Sequence, residues 1–315
     1  MTEPYSAADG LVRVYPAASA DGALPDGSLP YGAIPEGAAL VWVHGGGFAG
    51  GDLDMPEADW VSRSFAARGV TVVSVDYALA PTPQAWADAL GGQVKDGVHY
   101  PVASNDVVTA FRWAVESDLA DGPWVFGGAS AGANLVAGAT LRLLDDGGPV
   151  PALVFLAYPT LLAVQPEPSA DLRAALDANP EADRFGPDAV LGMYENYLGG
   201  SVDGAPLPAI PGLATAQDLA DFPPTLIING DADELRVSGE VFAATLAAAG
   251  RDVTCMTEPG TQHGHLNRPE EPQAAASVDR VLTHLSSLSV RNTPPGSAER
   301  PRVLDTEHST HEGTS

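Results

Sequence analysis

The protein is a chain of 315 residues with a formal net charge of −26 at pH 7, from 41 Asp and Glu against 15 Lys and Arg. A chain this acidic repels nucleic acids and anionic membranes, so neither is an expected partner. No segment approaches the roughly 18 unbroken apolar residues of a membrane-spanning helix, and the N-terminus, MTEPYSAADG, lacks the features of a signal peptide. A cytoplasmic location is therefore expected. The single Cys255 excludes a disulfide within the chain.

Apolar runs and amphipathic segments predict alternating strands and helices from about residue 38 onwards. Residues 1–37 are rich in Gly, Pro, Ala and Asp, which predicts an irregular leading arm with one strand-like piece, LVRVYP. The later predicted strands are ALVWVH, VTVVSVD, PWVFGG, ALVFLAY, PTLIIN and DVTCMTE. Helices are predicted over residues 56–68, 105–117, 131–144, 188–197, 237–250 and 272–288. Ser104 is the predicted N-cap of the second helix.

Near-continuous apolar strands that alternate with helices predict an α/β fold, with a mostly parallel central sheet and helices on both faces. One main domain is predicted over residues 38–290. Within it, the Pro-rich stretch 160–222 is only patchily periodic, and we expect it to build a small cap together with the leading arm, residues 1–37. Residues 291–315 have the composition of a disordered tail.

The segment LVWVHGGGFAGGD, residues 40–52, ends an apolar strand in a glycine-rich loop. One interpretation is a dinucleotide site, because Gly45, Gly47 and Gly50 match G-x-G-x-x-G and Asp76 ends the next strand. However, GDLDMPEAD follows, and its carboxylates would repel a pyrophosphate, while no helix opens at the last glycine. The other interpretation is an oxyanion hole, in which glycines let backbone N–H groups face a developing negative charge.

An oxyanion hole requires a nucleophile, and VFGGASAGANL supplies a candidate. Here Gly128, Ser130 and Gly132 form G-x-S-x-G between a predicted strand and a predicted helix, with only Gly or Ala beside the serine. A nucleophile elbow needs small residues at these positions because its turn is very tight. The motif alone is weak, and the strand–turn–helix setting strengthens it.

A serine nucleophile needs a base, and the base needs an orienting carboxylate. On a parallel sheet these groups are expected at the carboxyl ends of later strands, in the order Ser, Asp, His. Asp231, Asp233 and Glu234 follow the strand PTLIIN, and His263 and His265 follow DVTCMTE. Both the order and the strand ends agree with this expectation.

Five blocks, HGGGF, VDYALAP, GGASAGANL, GDADELR and PGTQHGH, together resemble the bacterial hormone-sensitive-lipase-like branch of the α/β-hydrolase fold, whose members are mostly carboxylesterases. The resemblance covers residues 39–288 and implies Ser130 as nucleophile, Asp233 as acid and His263 as base. It favours Asp233 over Asp231 because the family acid stands two residues before a Leu-Arg pair, which is LR here.

The same resemblance implies an oxyanion hole formed by the N–H groups of Gly46, Gly47 and Ala131. His44 is then expected to hold the glycine loop without taking part in the chemistry. His265 stands where the family usually carries Phe, so we expect it at the mouth of the pocket, in contact with substrate.

The chain departs from the family pattern near the predicted pocket. Ala78 replaces the usual Arg, Thr82 replaces the usual acid, and the stretch 82–99 is longer than usual. A long loop that leaves the carboxyl end of a strand is often functional. We therefore predict that residues 82–99 cover part of the pocket mouth and that Trp86 contacts the substrate; a solvated surface loop is the alternative.

The resemblance implies a serine carboxylesterase that hydrolyses small, short-chain acyl esters through an acyl-enzyme, with no metal and no cofactor. A small-molecule ester is thus the expected partner. One alternative is a peptidase on the same fold, which the triad alone does not exclude. Another is a ligand receptor on this scaffold: the plant gibberellin receptor resembles the family but has lost the base, so the presence of His263 favours an enzyme.

Overall fold

The computed structural model describes residues 3–18, 34–90 and 93–292. Within these residues, eight strands form one sheet in the order β1-β2-β4-β3-β5-β6-β7-β8. The strands are β1 Tyr5–Ala7, β2 Val12–Tyr15, β3 Ala39–Val43, β4 Thr71–Val75, β5 Trp124–Ala129, β6 Leu153–Ala157, β7 Thr225–Ala232 and β8 Val253–Gln262. β1 pairs with β2, and β2 with β4, in antiparallel fashion, whereas the other neighbours are parallel. The predicted mostly parallel α/β sheet is confirmed.

The helices of the described residues connect these strands and cover the sheet. They are α1 Pro56–Ala66, α2 Gln84–Leu90, α3 Val102–Glu116, α4 Ala131–Asp145, α5 Ala170–Ala178, α6 Pro187–Leu198, α7 Arg236–Ala248 and α8 Pro272–Asn292. The last helix ends at the limit of the described residues, so the predicted tail lies almost entirely outside them.

The central strands are buried on both sides, which explains why they read as continuous apolar runs. In β3 every residue is buried: Val41 and Val43 belong to one apolar cluster, and Leu40 and Trp42 to the cluster on the other face. This alternation follows from the two-residue repeat of a strand. Because the sheet is packed on both faces, it gives firm support to the loops that follow the carboxyl ends of its strands.

The prediction that the leading arm is part of the cap is wrong for its described residues. Strands β1 and β2 extend the main sheet next to β4, with Val12 opposite Val75 and Val14 opposite Val73. Val12 and Val14 are fully buried, so the strand-like LVRVYP serves the core of the sheet. Residues 19–33, also assigned to the arm, lie outside the described residues.

Two helix predictions near the site need correction. Helix α3 begins at Val102, and Ser104 is no N-cap: its buried hydroxyl accepts a hydrogen bond from Arg142 Nη1 at 2.8 Å. The stretch 82–99, predicted as a long loop, contains α2. A helix this short carries too few turns for its periodicity to be recognised.

Residues 160–222 contain α5, which the sequence did not predict, and α6, which it did. The Ser169 hydroxyl caps α5 by accepting from the Leu172 N–H at 3.2 Å. Helix α6 starts with Pro187 and ends at Gly199, which has φ +73°. Both features are common helix-end signals.

Candidate active site

The turn between β5 and α4 carries Ser130. Its φ of +53° and ψ of −119° lie outside the regions that side-chain-bearing residues favour, and such strain is typical of functional sites. A Cβ on Gly128 would lie 2.6 Å from the Gly132 backbone, and one on Gly132 would overlap the carbonyl oxygen of Val43. The close approach of these backbones therefore requires glycine at both positions and holds the turn as a tight elbow.

Ser130, His263 and Asp233 form one hydrogen-bonded line. His263 Nε2 lies 2.9 Å from Ser130 Oγ, and His263 Nδ1 lies 2.8 Å from Asp233 Oδ2. Because a carboxylate only accepts, Nδ1 carries the proton and Nε2 is free to accept from the serine hydroxyl. Asp233 is fully buried, and its Oδ1 accepts from the Leu235 N–H at 3.0 Å. The carboxylate is thus fixed, and it fixes the tautomer of the imidazole.

Asp231, the other candidate acid, has different partners. Its carboxylate accepts from the Gly260 N–H at 2.9 Å and lies 3.9 Å from the Arg236 guanidinium. Its side chain is 44% exposed, against 0% for Asp233. The structure therefore brings Asp233, and not Asp231, to the imidazole.

The glycine loop after β3 is held through its carbonyl groups. The Gly45 carbonyl accepts from the Tyr77 hydroxyl at 3.2 Å and from His44 Nδ1 at 2.7 Å. The C=O and the following N–H of a trans peptide point in opposite directions. The N–H of Gly46 therefore points away from His44 and Tyr77. His44 holds the loop, as expected from the sequence.

The next peptide is turned in the same manner. The Gly46 carbonyl accepts from the N–H groups of Ala49 and Gly50 at 3.2 and 2.9 Å, so the Gly47 N–H points away from them. Gly46 and Gly47 have φ of +115° and +58°, conformations that glycine adopts without strain. The N–H groups of Gly46 and Gly47 are therefore directed away from the groups that hold the two carbonyl oxygens.

A third donor comes from the elbow itself. Ala131 is the first residue of α4, and the first N–H groups of a helix have no intrahelical acceptor. The glycine loop lies directly against this turn, because a Cβ on Gly45 would sit 3.0 Å from Ser130 Cβ. The glycine loop and the first turn of α4 therefore meet at Ser130.

His44 is a neutral structural histidine. Burial lowers the pKa of its imidazole, and the ring stacks on Tyr77 with centroids 4.5 Å apart. The Tyr77 hydroxyl also donates to the His44 carbonyl at 3.0 Å. His44 and Tyr77 together hold the glycine loop from its buried side.

The prediction that His265 lies at the pocket mouth is wrong. Its side chain is fully buried, and Nε2 is 2.8 Å from Ser277 Oγ on α8. Burial lowers the pKa of His265 to about 4, with smaller contributions from Arg268 and His263. The ring packs against Tyr158, away from the nucleophile.

Trp86 lies beside the glycine loop. A Cβ on Gly47 would overlap the Trp86 indole and would lie 3.3 Å from the Met193 sulfur. Helices α2 and α6 therefore meet at Gly47, whose N–H is a candidate donor. The solvated-loop alternative does not fit a half-buried indole packed against the main apolar cluster.

The extra residues 82–99 are anchored to α6 at both ends. Asn196 Nδ2 donates to the Pro81 carbonyl at 2.9 Å, and the Tyr100 N–H donates to the Tyr197 carbonyl at 2.8 Å. Tyr197 in turn stacks on Phe48 of the glycine loop, with centroids 4.1 Å apart. The insertion, α6 and the glycine loop form one packed unit.

Phe185, between α5 and α6, covers His263. Its ring lies edge-on to His263 with centroids 4.6 Å apart, and its N–H donates to the Glu234 carboxylate. Burial raises the pKa of Glu234, and the hydrogen bond to Asp183 acts in the same direction. Residues 160–222 thus reach the site through Phe185 and Met193.

Sequence analysis missed Glu57. It is the second residue of α1, where an acidic side chain usually indicates only a favourable interaction with the helix dipole. In the structure its carboxylate is buried and accepts from the Gly45 N–H at 2.5 Å. No short motif distinguishes these two roles, because the partner is a backbone group.

The glycine loop does not have the geometry of a dinucleotide site. Helix α1 begins only at Pro56, so no helix N-terminus stands at the glycines to receive a pyrophosphate. Among the described residues, no three His, Cys, Asp or Glu side chains are grouped as metal ligands. None of the helices in the described part of the chain has the length and apolar character needed to cross a bilayer.

Comparison with known proteins agrees with this geometry. A family described as alpha/beta hydrolase fold matches residues 40–91 and 97–267. Esterase LipI of Mycobacterium tuberculosis is 32% identical over 78% of this chain and 71% of its own length. The carboxylic ester hydrolase LipN of the same organism is 34% identical over 72% of this chain, but the match spans only 57% of LipN.

Solved structures show the same fold. Brefeldin A esterase, described as a bacterial homologue of human hormone-sensitive lipase, superposes with a TM-score of 0.67 at 24% identity, over 92% of this chain and 77% of that one. Fold and site together define an α/β hydrolase. The chain belongs to this family and is an ester hydrolase.

Proposed function

We propose that the protein is a serine carboxylesterase that hydrolyses small esters with short acyl chains. The hydrogen-bonded line from Ser130 through His263 to Asp233 carries the proposal. It stands against the glycine loop, whose Gly46 and Gly47 N–H groups point away from the partners of the loop carbonyls, and we assign these N–H groups as anion-stabilising donors. LipI and LipN, which are named as an esterase and a carboxylic ester hydrolase, support the same reaction class.

In the proposed reaction, Ser130 Oγ attacks the acyl carbon while its proton passes to His263 Nε2. The carbonyl oxygen becomes an oxyanion and accepts from the N–H groups of Gly46, Gly47 and Ala131. His263 then gives its proton to the alcohol oxygen, the C–O bond breaks and the alcohol leaves an acyl-enzyme. Water attacks this ester as His263 takes up its proton, and the acid departs while Ser130 regains its hydrogen.

The contacts around the glycine loop favour substrates with small acyl groups. Trp86 and Met193 fill the space beside Gly47, and Phe185 covers His263, so bulky apolar side chains crowd both sides of the nucleophile. We propose that residues 160–222 act as the cap of this pocket. Long acyl chains would have to displace these side chains.

The test is a series of p-nitrophenyl esters from acetate to decanoate, with matched p-nitroanilides of the same acids. We expect the highest kcat/KM on the short esters and no measurable cleavage of the anilides. Anilide cleavage at a comparable rate would favour the peptidase alternative. Saturable ester binding without any turnover would favour the receptor alternative.

We expect Asp233→Asn to lower kcat by roughly 10³- to 10⁴-fold, because the amide no longer fixes the imidazole tautomer. The matched control is Asp231→Asn, which alters a carboxylate two residues away that does not touch His263. Initial rates on p-nitrophenyl acetate measure both variants. Equal losses would contradict the assignment of Asp233 as the acid.

We expect Trp86→Ala to raise the ratio of kcat/KM for octanoate over acetate by about tenfold, because it opens space beside the oxyanion loop. The measurement is the same ester series. Trp113→Ala is the control, since Trp113 is also half-buried against the main cluster but stands near the C-terminal end of α3. An unchanged acyl preference in folded Trp86→Ala would contradict the proposal that Trp86 contacts substrate.

A further inference from the structure

Glu57 is a buried carboxylate beneath the glycine loop. Glu57 is only 1% exposed. Oε1 accepts from the Gly45 N–H at 2.5 Å, while Oε2 accepts from the Tyr158 hydroxyl at 2.5 Å and from Asn267 Nδ2 at 3.1 Å. Three donors from three separate segments thus converge on one side chain. Burying a charge is costly unless donors of this kind surround it.

The donor to Oε1, the Gly45 N–H, belongs to the glycine loop. The Gly45 N–H is held by Glu57, and the Gly45 carbonyl is held by His44 and Tyr77. Both peptide planes that flank Gly45 are therefore fixed. The second of these planes carries the N–H of Gly46, a proposed oxyanion donor, and Glu57 fixes the plane directly before it.

The donors to Oε2, Tyr158 and Asn267, belong to segments around His263, the proposed base. Asn267 ends the short helical turn that follows His263, and its Oδ1 accepts from the Glu57 N–H at 3.2 Å. Tyr158 places its ring edge-on to His263, with centroids 5.1 Å apart. Glu57 therefore holds both the ring that lies against the imidazole and the short helical turn that follows His263.

We propose that Glu57 is a positioning residue that aligns the glycine loop with His263, the proposed general base. This inference rests on the proposed esterase function. Glu57 does not touch the reacting atoms and acts through Gly45 on one side and through Tyr158 and Asn267 on the other. Misalignment by a fraction of an ångström weakens interactions that matter in the transition state more than in the bound substrate. Loss of Glu57 should therefore lower kcat while KM changes little.

The test is Glu57→Gln, which keeps the size of the side chain but replaces one accepting oxygen by a donor. Glu258→Gln is the matched control. Glu258 is also buried, at 3% exposure, but its carboxylate binds Arg280 and Ser277 on α8 rather than the glycine loop. We expect Glu57→Gln to lower kcat by about 30-fold with KM within about threefold, and Glu258→Gln to lower only Tm.

Tyr158→Phe gives an independent variant if Glu57→Gln folds poorly. It removes one of the three donors and leaves the carboxylate in place. We expect a smaller loss of kcat, about fivefold, and a combined loss in the double variant that is less than the product of the two, because both act on one network. Fully multiplicative losses would overturn the proposal.

A second readout separates this inference from the esterase function. The rate at which an alkyl p-nitrophenyl phosphonate modifies Ser130, followed by intact mass, reports nucleophile and oxyanion hole without any substrate turnover. Slower labelling of Glu57→Gln than of Glu258→Gln supports the inference, even if no ester tested is turned over, in which case only the proposed function fails. Equal labelling of the two folded variants overturns the inference alone. A wild-type protein that is not labelled overturns both.

Discussion

Replacement of Ser130 by Ala is expected to lower kcat for short-chain esters by at least about 10³-fold. The substitution removes one oxygen atom, the one that lies 2.9 Å from His263 Nε2, and with it the only proposed nucleophile. Alanine can occupy the strained elbow as well as serine does, because the side chain keeps the same Cβ. We therefore expect the folded protein to retain its Tm within about 2 °C.

The control for this substitution is Ser74→Ala. Ser74 is a buried serine on β4 whose hydroxyl has no hydrogen-bond partner within the described part of the chain. Its replacement should leave the rate unchanged. Intact-mass analysis after phosphonate treatment should show one adduct on the wild-type protein and none on Ser130→Ala. A folded Ser130→Ala protein with undiminished esterase activity would refute the proposed mechanism.

His263→Ala is expected to cost nearly as much as loss of the serine, again about 10³-fold or more in kcat. The imidazole both activates Ser130 and returns the proton to the leaving alcohol, so its removal stops acylation and deacylation together. Steady-state rates on p-nitrophenyl acetate measure this loss. Binding of the ester should persist, because the pocket walls remain.

His265→Ala is the matched comparison, two residues further along the chain. His265 bonds to Ser277 and packs under Tyr158, so its loss creates a buried cavity rather than removing a reacting group. We expect a lower Tm and a kcat within about tenfold of the wild-type value. If both histidine variants lost activity equally, the assignment of His263 as the base would have to be abandoned.

The two histidines illustrate the limit of reasoning from spacing. On a continuing strand, residues 263 and 265 would point to the same side, because the repeat of a strand is two residues. Strand β8 ends at Gln262, and Gly264 adopts φ +73°. This left-handed residue turns the chain, so one imidazole reaches Ser130 and the other faces α8. Sequence spacing alone could not reveal that turn.

The leading strands illustrate a different limit. Two short strands carry little periodicity, and nothing local indicates which sheet edge they join. Their place beside β4 depends on Val12 and Val14 meeting Val73 and Val75 across the pair. Non-local pairing of this kind is decided by the packing of the whole domain.

By itself the sequence determined the features that depend on neighbouring residues. Continuous apolar runs specify buried parallel strands, the small residues around Ser130 specify a tight elbow, and strand ends specify where the acid and base candidates lie. The tertiary structure decided which candidates meet, how Trp86 packs on Gly47, and that Glu57 binds the glycine loop. These outcomes depend on side-chain directions and long-range contacts between segments, and local pattern does not encode them.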